Sequence, residues 1–179
     1  MKRYIALLRG INVGNKNRIS MADLKETFEK HSFKQVKTYL NSGNVVFSSD
    51  ESNIIELTKQ IEEMINIEFN LCIPVFVILK NNLEDILNNA PNWWDNENKE
   101  IYDNLIFIMP PAKFLEVYDE IGKPNNKLEK IKNYNDVIFW SFKRKDYRKT
   151  NWWSKTANVN ISNKLTIRTA KTIKKLVDL

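Results

Sequence analysis

The chain has 179 residues, 42% hydrophobic, 11% aromatic and 28% charged, with a formal net charge of +6. That apolar fraction excludes wholesale disorder, and the length suits one compact domain or two small halves. No stretch approaches the ~18 consecutive apolar residues of a transmembrane helix, and the lone Cys72 excludes an intramolecular disulfide and fits a reducing cytoplasm.

The N-terminal run MKRYIALLRG ends its apolar part at Arg9 without a small-residue cleavage site, so no signal peptide is expected. Residues 3–9 predict a short buried strand, followed by a turn-rich loop from Gly10 to Asn17. Ser20 and Asp23 have capping-box spacing ahead of a helix over 21–31, with Met21, Leu24 and Phe28 on one face. His31, the single histidine, falls at that helix end and reads as a C-terminal cap residue rather than a base. Strands are predicted at 34–39 and 44–48, joined by the turn Asn41-Ser42-Gly43-Asn44. A helix over 53–68 and an apolar strand at 75–79 follow, with Pro74 at the strand entrance and Cys72 read as a small buried hydrophobe. The acidic pair Glu62-Glu63 reads as a solvated helix face.

This order, β-α-β-β-α-β, is that of a ferredoxin-like unit, giving an α+β class with helices on one face of an antiparallel sheet. The second half predicts a short helix at 82–89, strands at 102–109, 128–132, 136–142 and 164–168, and helices at 112–120, 151–160 and 169–178. The same element order thus recurs with an added terminal helix, and the division expected is 1–80 and 81–179.

Charge is uneven. Residues 1–22 carry +5, residues 23–136 carry −8, and residues 137–177 carry +10. If the fold joins the two basic ends, an anion site forms in a cleft between the halves. The alternative is coding bias, since the chain has 22 Lys against 6 Arg, which makes the arginines the better evidence.

Four segments could carry chemistry. In Arg9–Arg18 the loop amides around Gly10 and Gly14, with Arg9, Asn12 and Lys16, could face an anion beside a helix start; the alternative is a tight loop that needs glycine. In Thr38–Asn44, Ser42 and Asn44 are either donors on an exposed loop or turn residues. In Ser141–Lys155 cations alternate with aromatics around Arg144, a mixture suited to nucleic acid; the alternative is a charged loop before a helix that buries one of Trp152 and Trp153. In Leu165–Thr172, Thr169 reads as an N-cap, and Arg168 and Lys171 stand at the positive end of a helix, where either an anionic ligand or a paired Asp or Glu from the middle segment would favour them. One Cys and one His exclude a His/Cys zinc site, no cofactor is implied, and no nucleophile–base pair is visible, so whether a reaction is catalysed stays open.

Residues Ala6–Asn17, Met21–Leu24 and Thr38–Phe47 together resemble the bacterial "domain of unknown function 1697" family. Three departures stand out. Asn15 replaces a usual second glycine, His31-Ser32 replace Leu-Gly, and only Arg168 and Thr172 match the C-terminal Arg-Asn-Trp-Asn-Thr signature. The resemblance implies an α+β fold and carries no assigned activity. From the residues, the expectation is a cytoplasmic protein that binds a phosphate- or carboxylate-bearing small molecule. A nucleic-acid module is the alternative, and a scaffold with Trp93, Trp94, Trp152 and Trp153 at a partner surface is a third reading.

Overall fold

An unbroken apolar run needs cover on both faces, and β1 (Lys2–Leu8) has it: every residue from Tyr4 to Leu8 is buried. The computed structural model describes residues 1–179, the side chain of Val159 excepted. The chain divides into two units, Met1–Asp85 with Lys175–Leu179, and Ile86–Lys174. No helix among the described residues is long and apolar enough to cross a membrane.

In the first unit, β1, β2 (Lys34–Tyr39), β3 (Asn44–Ser49) and β4 (Val75–Leu79) form an antiparallel sheet in the order β2-β3-β1-β4. Tyr4, Ala6 and Leu8 alternate onto one face with Val45 and Phe47. That face is covered by Leu24 and Phe28 of α1 (Met21–Lys30) and by Leu57, Ile61, Met64 and Ile65 of α2 (Ile54–Phe69). The cap predicted for α1 forms, with Ser20 Oγ accepting from Asp23 N at 3.3 Å, and His31 closes the helix. Asn53 caps α2 in the same way, accepting from Ile55 N and Glu56 N. On the other face of the sheet Ile5, Leu7 and Val46 are buried as well.

The second unit holds β5 (Ile101–Ile108), β6 (Glu129–Tyr134), β7 (Val137–Lys143) and β8 (Leu165–Thr169), antiparallel in the order β6-β7-β5-β8. The strand order thus repeats, position for position. Ile106, Ile138, Trp140 and Phe142 pack against Trp152 and against Val117 and Ile121 of a helix at Phe114–Ile121. Two more helices follow strands with no intervening loop. α3 (Lys80–Asn88) continues from β4, which makes the Phe114–Ile121 helix α4. The final helix, Ala170–Val177, continues from β8.

Three sequence expectations need correction. Glu62, expected on a solvated face, is half-buried and accepts from Val75 N at 2.9 Å. The single helix expected over 151–160 is two, α5 (Asn151–Thr156) and α6 (Val159–Ser162), preceded by a 3-10 turn at Arg144–Lys149. The break comes from Asn158, whose Oδ1 accepts from Asn160 N at 3.1 Å and so starts a new helix. The final helix is then α7. Cys72 is exposed, not buried: Ile73 takes the inward position, and Cys72 Sγ receives a hydrogen bond from Asn66 Nδ2 instead. The tryptophans divide as their helical spacing requires. Trp152 is fully buried and Trp153 is 40% exposed, while Trp94 lies in the core with its Nε1 donating to Asn104 O.

A buried carboxylate organises the start of α5. Glu129 is 2% exposed. Its Oε1 accepts from Asn125 N at 2.9 Å and Asn151 N at 2.8 Å, and its Oε2 from Trp140 Nε1 at 3.1 Å. Trp152 N points at both oxygens, at 3.4 and 3.3 Å.

Candidate functional site

In the first unit the loop after β1 and the β2–β3 turn stand at the same end of the sheet, because Leu7 pairs with Asn44 in antiparallel register. Gly43 lies against Leu8 and Ile11, and its carbonyl accepts from Leu8 N at 2.8 Å. Asn12 joins the two segments: its Nδ2 donates to Ile19 O at 2.8 Å and to Asn41 O at 2.9 Å, and its Oδ1 accepts from Ile19 N. Asn44 is fully buried and donates to Tyr39 O and Ser42 Oγ. The side chains of Asn12, Ser42 and Asn44 therefore bond within the fold and hold the two loops together. Gly10 and Gly14 adopt φ of +71° and +59°, the left-handed region where glycine carries no steric cost. Arg9 is partly buried, which lowers the pKa of its guanidinium, and its backbone N–H donates to Pro74 O. Lys16 is exposed, and Arg18 donates to Asn15 Oδ1 at 2.6 Å. Asn12, Gly14, Arg18, Ser20 and Asn41 line an open hollow beside the start of α1.

In the second unit Arg144 and Arg168 serve different faces of the sheet. Arg168 alternates with Ile167, which packs on the helix side, so its guanidinium points to the opposite face. There it donates to Thr166 Oγ1 and Ile167 O, and burial pushes its pKa down to about 10. Arg144 instead stacks on the ring of Tyr102, with its Cζ 4.7 Å from the ring centroid and its Nε donating to Ile101 O.

Tyr102 lies directly opposite Phe142 in the β5–β7 register, and their ring centroids are 5.5 Å apart. Thr150 fixes the other wall. Its Oγ1 donates to Tyr147 O and accepts from Trp153 N, which sets the Tyr147 and Trp153 rings edge to face at 4.8 Å. Phe142 meets Trp153 at 5.6 Å and 70°. Tyr102, Phe142, Arg144, Tyr147 and Trp153 line an open hollow of about 340 Å³. Arg148 lies over Tyr147 at 5.3 Å. Among the described residues no carboxylate comes within ion-pair distance of Lys143, Arg144, Lys145 or Arg148.

A second hollow of about 410 Å³ shares Tyr102 and Arg144 and is polar. Lys171 and Thr169 reach it from the start of α7, with Asp95 and Asp103 opposite. Thr169 caps α7 as expected, its Oγ1 accepting from Thr172 N. Asp95 pairs with Lys174 at 2.7 Å. Asp103 accepts from the Ser141 hydroxyl, yet burial raises its pKa above the usual value, and that hydrogen bond opposes the rise only in part. Ionisation of Asp103 is thus harder in the fold than in the unfolded chain. Stability falls as pH climbs from the unfolded pKa of about 3.9 through the higher folded value. Asp103→Asn removes this cost. Its stability relative to the wild type is expected to rise between pH 4 and pH 7 in denaturant titrations, and an equal difference at both pH values would refute the assignment.

Sequence reasoning singled out Arg144 and the segment that holds three of the four rings around it, but not Tyr102. Tyr147, Trp153 and Phe142 stood in a segment whose aromatic and cationic mixture was visible. Tyr102 comes from a strand 40 positions earlier, and only the sheet register brings it there.

A family model described as "Protein of unknown function (DUF1697)" matches residues 1–139. No curated protein matches the chain. Among solved structures, that of conserved bacterial protein SP0830 from Streptococcus pneumoniae is similar, with a TM-score of 0.86 and 28% identity over 99% of this chain and 97% of that one. The family match takes in the whole first sheet, the loop from Arg9 to Arg18 and two strands of the second sheet, so the chain belongs to the DUF1697 family of proteins of unknown function.

Proposed function

We propose that this protein binds an anionic ligand, bearing phosphate or carboxylate, at Arg144. The observation that carries the proposal is the state of that guanidinium. It is held in place by the Tyr102 ring and the Ile101 carbonyl, it lines two adjoining hollows, and among the described residues no carboxylate lies within ion-pair distance, Asp103 across the polar hollow acting on it only at longer range. A fixed guanidinium offers paired N–H donors that match a phosphate or carboxylate. Lys143, Lys145 and Arg148 raise the local positive potential, and Lys171 reaches the polar hollow from the α7 start. Of the sequence-derived set, Arg168 donates to groups on the other face of the sheet, and in the first unit Arg18 carries the cation at its hollow.

Titration calorimetry with inorganic phosphate and pyrophosphate at low ionic strength tests this. Saturable binding is expected that weakens as salt rises. Arg144→Ala is expected to weaken it about tenfold, the order of one charge-assisted hydrogen bond, while Arg18→Ala leaves it unchanged. Unaltered affinity in Arg144→Ala, or no saturable binding, would overturn the proposal.

A further inference from the structure

We infer that the ligand held at Arg144 carries a planar base, so that the site takes a nucleotide unit, free or within a single strand. This rests on the anion reading above and adds the ring.

Four aromatic side chains, Tyr102, Phe142, Tyr147 and Trp153, converge on the hollow that Arg144 borders. Its volume, about 340 Å³, falls in the range of small-molecule sites, about 300–1,000 Å³. A hollow of this make-up can take three kinds of guest. Aromatic cages bind quaternary ammonium groups, but Arg144 at 4.7 Å from Tyr102 and Arg148 at 5.3 Å from Tyr147 make this one repel a cation. Neutral sugars stack on aromatic faces, but they leave the arginine without an anionic partner. A nucleobase with a phosphate satisfies both parts: the ring stacks on an aromatic face while the phosphate meets the guanidinium.

The walls are built to persist without a ligand. Phe142 and Tyr102 are anchored in the core cluster that includes Trp140 and Trp152. Thr150 ties Tyr147 and Trp153 together through the cap of α5. Trp153, 40% exposed, is the ring left open to a guest, although its neighbour Trp152 is fully buried. The polar hollow next door shares Arg144 and Tyr102 and supplies Lys171 for the phosphate and carboxylates as acceptors for sugar hydroxyls.

The experiment compares four probes on the full chain by titration calorimetry at low salt: inorganic phosphate, adenosine 5′-monophosphate, uridine 5′-monophosphate and a single-stranded oligonucleotide of eight residues. Both monophosphates are expected to bind at least tenfold more tightly than phosphate, the order that one stacked base contributes. Trp153→Ala should remove that advantage and leave phosphate affinity unchanged, and Trp153→Phe should restore most of it. Thermal unfolding of each variant checks that it is folded, and Tyr147→Ala gives a second probe of the same hollow. Equal affinity for phosphate and the monophosphates, with phosphate binding intact, overturns the inference and leaves the anion reading standing. Absence of binding by every probe overturns both. Either result of the oligonucleotide arm upholds a nucleotide unit: tenfold tighter binding than the monophosphates assigns it to a strand, and equal binding assigns it to the free nucleotide.

Discussion

Replacing Glu129 by Gln is expected to cost about 2–4 kcal/mol of unfolding free energy, although the side chains are nearly isosteric. The reason is the geometry of the donors. Asn125 N, Asn151 N and Trp152 N converge on Oε1, while Trp140 Nε1 and again Trp152 N approach Oε2. Both oxygens only accept. An amide group must place its NH2 on one of them, and in either orientation an N–H then faces an N–H in a site with 2% exposure. The damage reaches past Glu129 itself. The N–H groups of Asn151 and Trp152 open α5, the helix whose Trp152 packs against Ile106, Trp140 and Phe142. Loss of the carboxylate therefore loosens the anchor of the second core. Urea titration measures the effect. A change under 0.5 kcal/mol, with the m-value unchanged, would mean the site rearranges and that Glu129 is not the organiser of this helix start.

Gly43→Ala carries the second large expected effect, about 2–4 kcal/mol, the sum of a left-handed backbone penalty and an overpacking cost. Gly43 has φ of +73°, and a methyl group there would stand 2.7 Å from Leu8 Cβ and 2.9 Å from Ile11 Cδ1. Both neighbours are buried in the first core and cannot withdraw like a surface side chain. Gly10 and Gly14 provide the control. They have comparable φ angles, yet a Cβ at either would meet no atom within 4 Å. Their Ala variants are expected to lose only about 1–2 kcal/mol. Thermal or denaturant melts of the three single variants separate the terms. If Gly43→Ala were no worse than Gly10→Ala, close packing of the turn against β1 would not be what requires glycine.

The elements of this fold were legible where their cause is local. β1 follows from five successive apolar or aromatic residues, α1 from Ser20 and the Leu24–Phe28 spacing, and the β2–β3 turn from Asn41-Ser42-Gly43-Asn44. Misreadings arose where a side chain competes with the pattern. Asn158 offers its own acceptor and splits a helix that periodicity alone would continue. Glu62, read as part of a solvated face, accepts from Val75 N at 2.9 Å and so secures the first residue of β4.

The candidate site was legible in one part only. The cations and rings of residues 141–155 showed in the sequence, but the partner Tyr102 depends on strand register, a non-local property. The loop at Arg9–Arg18 illustrates the opposite case. Asn12 is as distinctive in the sequence as any ligand-binding residue, and its amide is engaged by Ile19 and Asn41. A conspicuous polar residue beside glycines can thus be the seam of a loop rather than its contact with a ligand.

The division of the chain has a consequence for its synthesis. The first unit takes its last residues, Lys175–Leu179, from beyond the second, and Arg3 and Lys37 both donate to Leu179 O, at 3.2 Å each. A nascent chain leaves the ribosome from its N-terminus, so β1 to β4 emerge while their closing segment is still unmade. The donors of Arg3 and Lys37 that are aimed at Leu179 O gain that partner only after the whole second unit has been translated. Completion of the first unit in this way waits for the second to be translated, although most of its residues are translated first.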